Sequence, residues 1–164
     1  MIEAGGPVVT SGIDPLVRRA VLADAAAVAL LEREARGALI DARGGQRWLE
    51  EHPEIGAQWV DVIEARVVLV AVLCAPGVDA EVPVGYLVLD VEDAVAHVDQ
   101  VFVTTGAREL GFGDALLAMA TDIARAAGVA VLEGHALPGD RDTKNLYERA
   151  GITARLITVS TRLR

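Results

Sequence analysis

Cysteine, lysine and aromatic rings are scarce in this chain of 164 residues, and each shortage removes a class of explanation. Cys74 is the one cysteine, so no disulfide can close within the chain. It ends an apolar run, where it is expected to pack as a small core residue rather than act as a thiol nucleophile. Aromatics make up 4% of the residues, which leaves the core to Ala, Val, Leu and Ile. Lys144 is the single lysine among 15 basic residues, and 24 acidic ones bring the formal net charge to −9. So acidic a chain argues against nucleic acid as the partner, because phosphate contacts need clustered Lys and Arg. It leaves room for an amine, although a charged, soluble surface is the blander reading. The arginine-heavy, alanine-rich usage suggests a bacterial chain. Long apolar runs are lacking too: the longest, Val67 to Ala75, is much too short to cross a bilayer, so no membrane partner is expected. The first residues, MIEAGGPVVTSG, show neither the basic start nor the apolar centre of a targeting segment, and the expected location is cytoplasmic.

What is present points to one globular domain. Apolar residues are 52% and charged residues 24% of the chain. Residues 1–14 read as a loose N-terminal tail and 15–164 as a single domain. Leu16 to Val21 alternates weakly, as an edge strand would. Asp24 is a plausible N-cap for a helix to about Arg36, with Ala27, Val28, Leu31 and Ala35 buried and Gly37 ending it. Short helices over 46–51 and 54–64 follow, and Trp48 and Trp59 are expected to serve in helix packing. Val67 to Ala75, Val82 to Val91 and Val95 to Val103 read as three strands of an antiparallel meander, with Pro76-Gly77 turning between the first two. A helix then leads to a parallel strand over 129–134, a short helix over 141–150 and a final strand, Ala154 to Leu163.

The stretch that organises the rest is Gln100 to Gly128. Strand Val101-Phe102-Val103 passes into the turn Arg108-Glu109-Leu110-Gly111-Phe112-Gly113. A helix follows with Leu116, Met119, Ala120, Ile123 and Ala127 on one face and Asp114 opposite, and Gly128 supplies its stop. Strand, glycine turn and helix start aim unpaired N–H groups at one point, where an anion is favoured. Gly111 and Gly113 lack a Cβ, so a phosphate has room to approach, and Arg108 adds a positive charge. No Gly-Lys-Ser/Thr follows, which excludes a P-loop, and the glycine order misses the dinucleotide fingerprint. The turn resembles the pyrophosphate loop of the GCN5-related N-acetyltransferases (GNAT), Arg/Gln-x-x-Gly-x-Gly/Ala. A second segment, Asn145-Leu146-Tyr147-Glu148-Arg149-Ala150-Gly151-Ile152, resembles that family's Tyr-x-x-x-Gly-Phe, with Ile152 in place of Phe.

The resemblance covers about residues 16–164. It implies an α/β fold with a mixed, mainly antiparallel sheet of six or seven strands, one central parallel pair and helices on both faces. It implies acetyl transfer from acetyl-CoA to an amine acceptor, small molecule or peptide, without a metal. The alternative is a catalytically degenerate member that binds acyl-CoA as a sensor or scaffold. By the resemblance the pyrophosphate rests on Leu110 to Gly113, and pantetheine lies along Val101, Phe102 and Val103. Arg108, Glu109, Asp114, Arg141 and Asn145 complete the cofactor-binding set, although the family commonly has Asn at Arg141. Tyr147 is the implied proton donor to the departing thiolate. Asp99 is the first candidate for the base and His97, on the same face by strand alternation, the second. His135 is a weaker candidate, His52 a surface residue, and Asp142 an expected helix N-cap. The single strand after the last helix leaves a bare edge, for which a homodimer is expected.

Overall fold

Valine- and leucine-rich runs favour extended backbone, and here they form the middle of one sheet. The computed structural model describes residues 15–74 and 80–161. Its elements are β1 (Leu16–Arg19), α1 (Ala25–Leu39), α2 (Gly45–Glu51), α3 (Trp59–Ala65), β2 (Val67–Cys74) and β3 (Glu81–Val91). They continue as β4 (Val95–Val103), α4 (Phe112–Ala126), β5 (Val131–Gly134) and α5 (Arg141–Arg149). Order in the sheet equals order in the chain: β1 to β4 are antiparallel neighbours and β5 runs parallel to β4. The N-terminal tail over 1–14 and the Pro76-Gly77 turn lie outside the described residues.

The described residues form five strands, not six or seven, and the parallel pair is at the sheet edge rather than its centre. The difference is the last strand. Residues 154–161 carry no strand, and Leu156 and Val159 are each 88% exposed. One face of that segment is only half apolar, so its burial would not offset the entropy of ordering it. Three smaller expectations also change. Helix α1 runs past Gly37, at which a Cβ would meet nothing, to Leu39. Asp24 gives α1 no side-chain cap; its carboxylate takes the Val21 amide at 2.8 Å and the Arg18 guanidinium at 2.8 Å instead. Burial alone would raise the Asp24 pKa, but those two partners outweigh it and hold the pKa below the usual range. Cys74 is exposed at the end of β2 rather than packed in the core.

Each face of the sheet has its own apolar cluster. On one face α4 and α5 bring Phe112, Leu116, Leu117, Leu146 and Tyr147 against Leu69, Leu87, Leu89, Ala96 and Val98. On the other, α1 and α3 bring Val28, Leu31 and Trp59 against Val68, Val70, Val72, Tyr86 and Val88. Trp59 is a packing residue, as expected, and is 1% exposed. Trp48 stacks on the exposed His52, with ring centroids 4.4 Å apart.

Candidate functional site

Strand β4 is paired on both edges in its first half and on one edge in its second. Val95 to Val98 pair with Val131 to Gly134, where β5 stops, while β4 continues along β3 as far as Val103. Thr104 N donates to Val84 O of β3 at 2.8 Å. Backbone groups alternate sides along a strand, so Phe102 also turns toward β3 while Val101 and Val103 present N–H and C=O to the vacated side. Arg108 Nε donates to Val103 O at 3.2 Å, as that parity requires. The fork thus leaves the Val101 N–H and C=O and the Val103 N–H without a strand partner among the described residues, while Arg108 takes Val103 O. At its apex β4 also carries a bulge. Val88 pairs with Gln100 and Leu89 with Val98, which makes Asp99 the extra residue.

Beyond β4 the chain makes one 3-10 turn, Thr105–Ala107, and enters the glycine loop. Glu109 (φ 65°) and Gly111 (φ 85°) both lie in the left-handed region, which Gly111 tolerates without a steric cost. Helix α4 makes its first backbone bond from Ala115 N to Gly111 O at 3.0 Å, and no side chain caps it. The amides of Phe112, Gly113 and Asp114 therefore lack helical partners at the positive end of a 15-residue helix. An anion fits that cradle. Phe112 offers only its amide, because its ring is buried at 1% exposure.

Two residues of this loop have further roles. A Cβ on Gly113 would lie 2.9 Å from Leu146 Cδ1, so its missing side chain also lets α4 pack closely on α5. Arg108 is not a free cation: besides Val103 O it pairs with Asp142 and lies over the Phe102 ring at 5.7 Å. Asp142 is accordingly an ion-pair partner, and the N-cap of α5 is Asp140, whose Oδ1 takes Thr143 N at 3.0 Å. Glu109 and Leu110 are exposed, Asp114 accepts from Arg149 at 3.2 Å, and Arg141 and Asn145 are exposed on α5.

Tyr147 reaches the fork from α5. A Cβ built on Gly134 would fall 2.3 Å from its hydroxyl oxygen, so the phenol abuts the last residue of β5. Burial pushes its pKa up, and the carboxylates of Asp140 and Asp99 add to the effect, so the hydroxyl keeps its proton across the working range. His97 and Asp99 lie on the opposite face of the sheet, because the flanking Ala96 and Val98 pack toward α4 and Asp99 meets Arg66 beside Asp90, the partner of His97. Asp99 Oδ2 accepts from Arg66 at 2.7 Å, and the same guanidinium holds Asp90. Burial disfavours the Arg66 charge, yet those two carboxylates outweigh it and raise the Arg66 pKa. His97 Nδ1 is 3.8 Å from Glu133 Oε2. The structure thus gathers Tyr147, Asp99 and His97 around the fork, while His135 is exposed just beyond β5.

Sequence reasoning passed over four residues here. Gly134 is glycine because Tyr147 occupies its side-chain space. Glu32, 1% exposed, accepts from Ile55 N at 2.8 Å, Gly56 N at 3.0 Å and Trp59 Nε1 at 2.8 Å. Its signal was a carboxylate four residues after Val28, inside the buried stripe of α1. Tyr86 donates to Gln100 Oε1 at 2.8 Å, a contact that no spacing announces.

The geometry has known parallels. The sequence model of the Acetyltransferase (GNAT) family matches residues 29–152. No curated protein sequence matches the chain. Among solved structures, a tetramutant of the BH1408 protein from Bacillus halodurans superposes with a TM-score of 0.71 at 16% identity, covering 90% of this chain and 99% of that one. Ribosomal-protein-alanine N-acetyltransferase from Brucella melitensis biovar Abortus 2308 gives 0.64 at 20% identity, over 92% and 98% of the two chains. Aminoglycoside N-acetyltransferase AAC(6')-Iy, solved in complex with CoA, gives 0.62 at 14% identity, over 89% and 98%. These likenesses establish a shared fold, and the family match over most of the chain establishes descent. The chain belongs to the GNAT acetyltransferase family.

Proposed function

We propose that this chain is an acetyl-CoA-dependent N-acetyltransferase that passes an acetyl group to a primary amine by direct attack on the thioester. The observation that carries the reading is the fork of β4 and β5, open on the Val101–Val103 edge, with an uncapped helix N-terminus at its mouth and Tyr147 at its apex. Acetyl-CoA would supply the activated acyl group and a thiol leaving group. The amides of Phe112, Gly113 and Asp114 would hold its pyrophosphate, and the Val101 and Val103 edge would pair with pantetheine as an added strand does. One of those edge amides would polarise the thioester carbonyl. Tyr147, kept protonated by burial, would donate to the departing thiolate. Asp99 or His97, on the other face, would take the proton of the amine. The solved complex of AAC(6')-Iy with a CoA-linked acetylneamine analogue motivates a small-molecule amine as acceptor, and the alanine N-acetyltransferase likeness motivates a peptide. We retain a cytoplasmic bacterial setting and a homodimer in this reading. The exposed Leu156, Ile157 and Val159, not a formed strand edge, are the surface a second copy would bury.

The test is calorimetry with CoA followed by thiol release from acetyl-CoA over a panel of amines. Gly111→Val should weaken CoA at least tenfold, about 1.4 kcal/mol, because φ 85° resists a β-branched side chain at the cradle. Gly113→Val should instead lower stability through Leu146. Unchanged CoA affinity in Gly111→Val would remove the loop from the cofactor site. Binding without release on any amine would leave the acyl-CoA sensor, the reading that the Arg66–Asp99 ion pair favours by occupying a candidate base.

A further inference from the structure

One polar chain crosses the face of the sheet away from α4 and ends at the bulge. Glu32 has both carboxylate oxygens filled by Ile55 N, Gly56 N and Trp59 Nε1. Trp59 meets Tyr86 edge to face, with centroids 5.5 Å apart. The Tyr86 ring is 1% exposed, and its hydroxyl donates to Gln100 Oε1 at 2.8 Å. That bond decides which way the Gln100 amide faces. A buried phenol must place its proton on an acceptor, and the one it reaches is Gln100 Oε1, the only acceptor that a side-chain amide offers. The Nε2 group then lies on the other side of the amide from Tyr86, and it makes no hydrogen bond among the described residues. The bulge puts Asp99 and Gln100, consecutive residues, on the same face. A carboxylate and a pair of N–H donors therefore stand side by side at the apex of the fork.

From this juxtaposition we infer that Gln100 determines acceptor specificity, donating through Nε2 to an oxygen on the carbon next to the amine-bearing one. The acceptor class is an amino carbonyl, amino alcohol or amino ether, rather than a plain alkylamine. Gln100 is no base, because a neutral amide takes up no proton near neutral pH; the amine's proton would go to Asp99 through the oxygen that Arg66 leaves open, while Gln100 serves the acceptor's oxygen. The inference rests on the transferase reading above.

The test compares two amines of the same length, 2-methoxyethylamine and n-butylamine, by thiol release from acetyl-CoA. The quantity read is the ratio of their kcat/KM values, taken in the wild type and again in variants, so that intrinsic reactivity cancels. Gln100→Leu should reduce the ratio about tenfold, the worth of one neutral hydrogen bond. Gln100→Glu keeps an oxygen for Tyr86 but removes the donors, and should reduce the ratio at least as far. Tyr86→Phe retains the ring and frees the amide to turn, and should reduce it by less. An unchanged ratio in both Gln100 variants, each with unaltered CoA affinity, overturns the inference. Should neither amine release thiol while CoA still binds, the transferase reading fails. The inference then stands or falls on the same ratio measured as amine affinities for the CoA complex.

Discussion

The two faces of the sheet are held by different physics. Against α4 and α5 the contact is almost wholly aliphatic, and Tyr147 is the one buried residue there with a polar tip. Against α1 and α3 the cluster holds a buried carboxylate, an indole N–H and a phenol, linked in series from Glu32 to Gln100. An aliphatic face tolerates small shifts, since dispersion and burial are not directional. A hydrogen-bonded face does not, because each donor costs free energy when it loses its acceptor. The face against α4 can thus be a packed support for the backbone turn that starts that helix, while the other face fixes the orientation of particular atoms.

Removing Glu32 should break this contrast most severely. Glu32→Ala leaves the Ile55 and Gly56 amides and the Trp59 indole without their acceptor, and should destabilise the fold by about 4 kcal/mol. Urea denaturation measures it; a loss below about 1 kcal/mol would mean that water replaces the carboxylate and that the polar face is no more exacting than the aliphatic one. Tyr147→Phe probes the opposite face with the ring kept in place. It should lower kcat about a hundredfold, near 2.7 kcal/mol, with little change in the KM for acetyl-CoA or in stability. Steady-state kinetics decides it: an unaltered kcat with chemistry rate-limiting would assign the thiolate's proton to another source.

The same contrast explains what could be read from the sequence. The meander, helix α4 and the glycine loop were legible because period-2 and period-3.6 patterns and glycine turns are local signals. Helix α4 carries the apolar face from Leu116 to Ile123 that the spacing marked, although it starts at Phe112, inside the turn, and Gly128 stops it with φ 79°. What was not legible is tertiary. Gly113 carries no mark in the sequence that it also packs against Leu146. Arg108 reads as a spare cation until Asp142, 34 residues away, folds onto it. Asp99 reads as a strand residue until the register slips past it and Arg66 claims its carboxylate. The final segment failed for a different reason: the alternation of Leu156, Thr158 and Ser160 against Arg155, Ile157 and Val159 is strand-like, yet a strand requires a neighbour to complete its hydrogen bonds.

That final segment gives the smallest expected effect and bears on both faces at once. Residues 153–161 leave α5 behind and reach back far enough for Ser160 Oγ to accept from Arg47 on α2 at 2.7 Å. An exposed bond of that kind contributes little, and Leu156, Ile157 and Val159 bury almost no area in the monomer. Truncation after Ile152 should therefore change monomer stability by less than about 0.5 kcal/mol. Its effect should fall on association instead. Apolar side chains left uncovered among the described residues are what a second copy would bury, and among those residues β5 pairs on one edge alone. Sedimentation equilibrium at micromolar concentration separates the two roles. A full-length dimer that becomes a monomer on truncation, at unaltered stability, assigns the segment to a second copy. A monomer in both forms rejects the homodimer, and a truncated chain that loses more than about 1 kcal/mol would show that the tail braces α2 against its own fold.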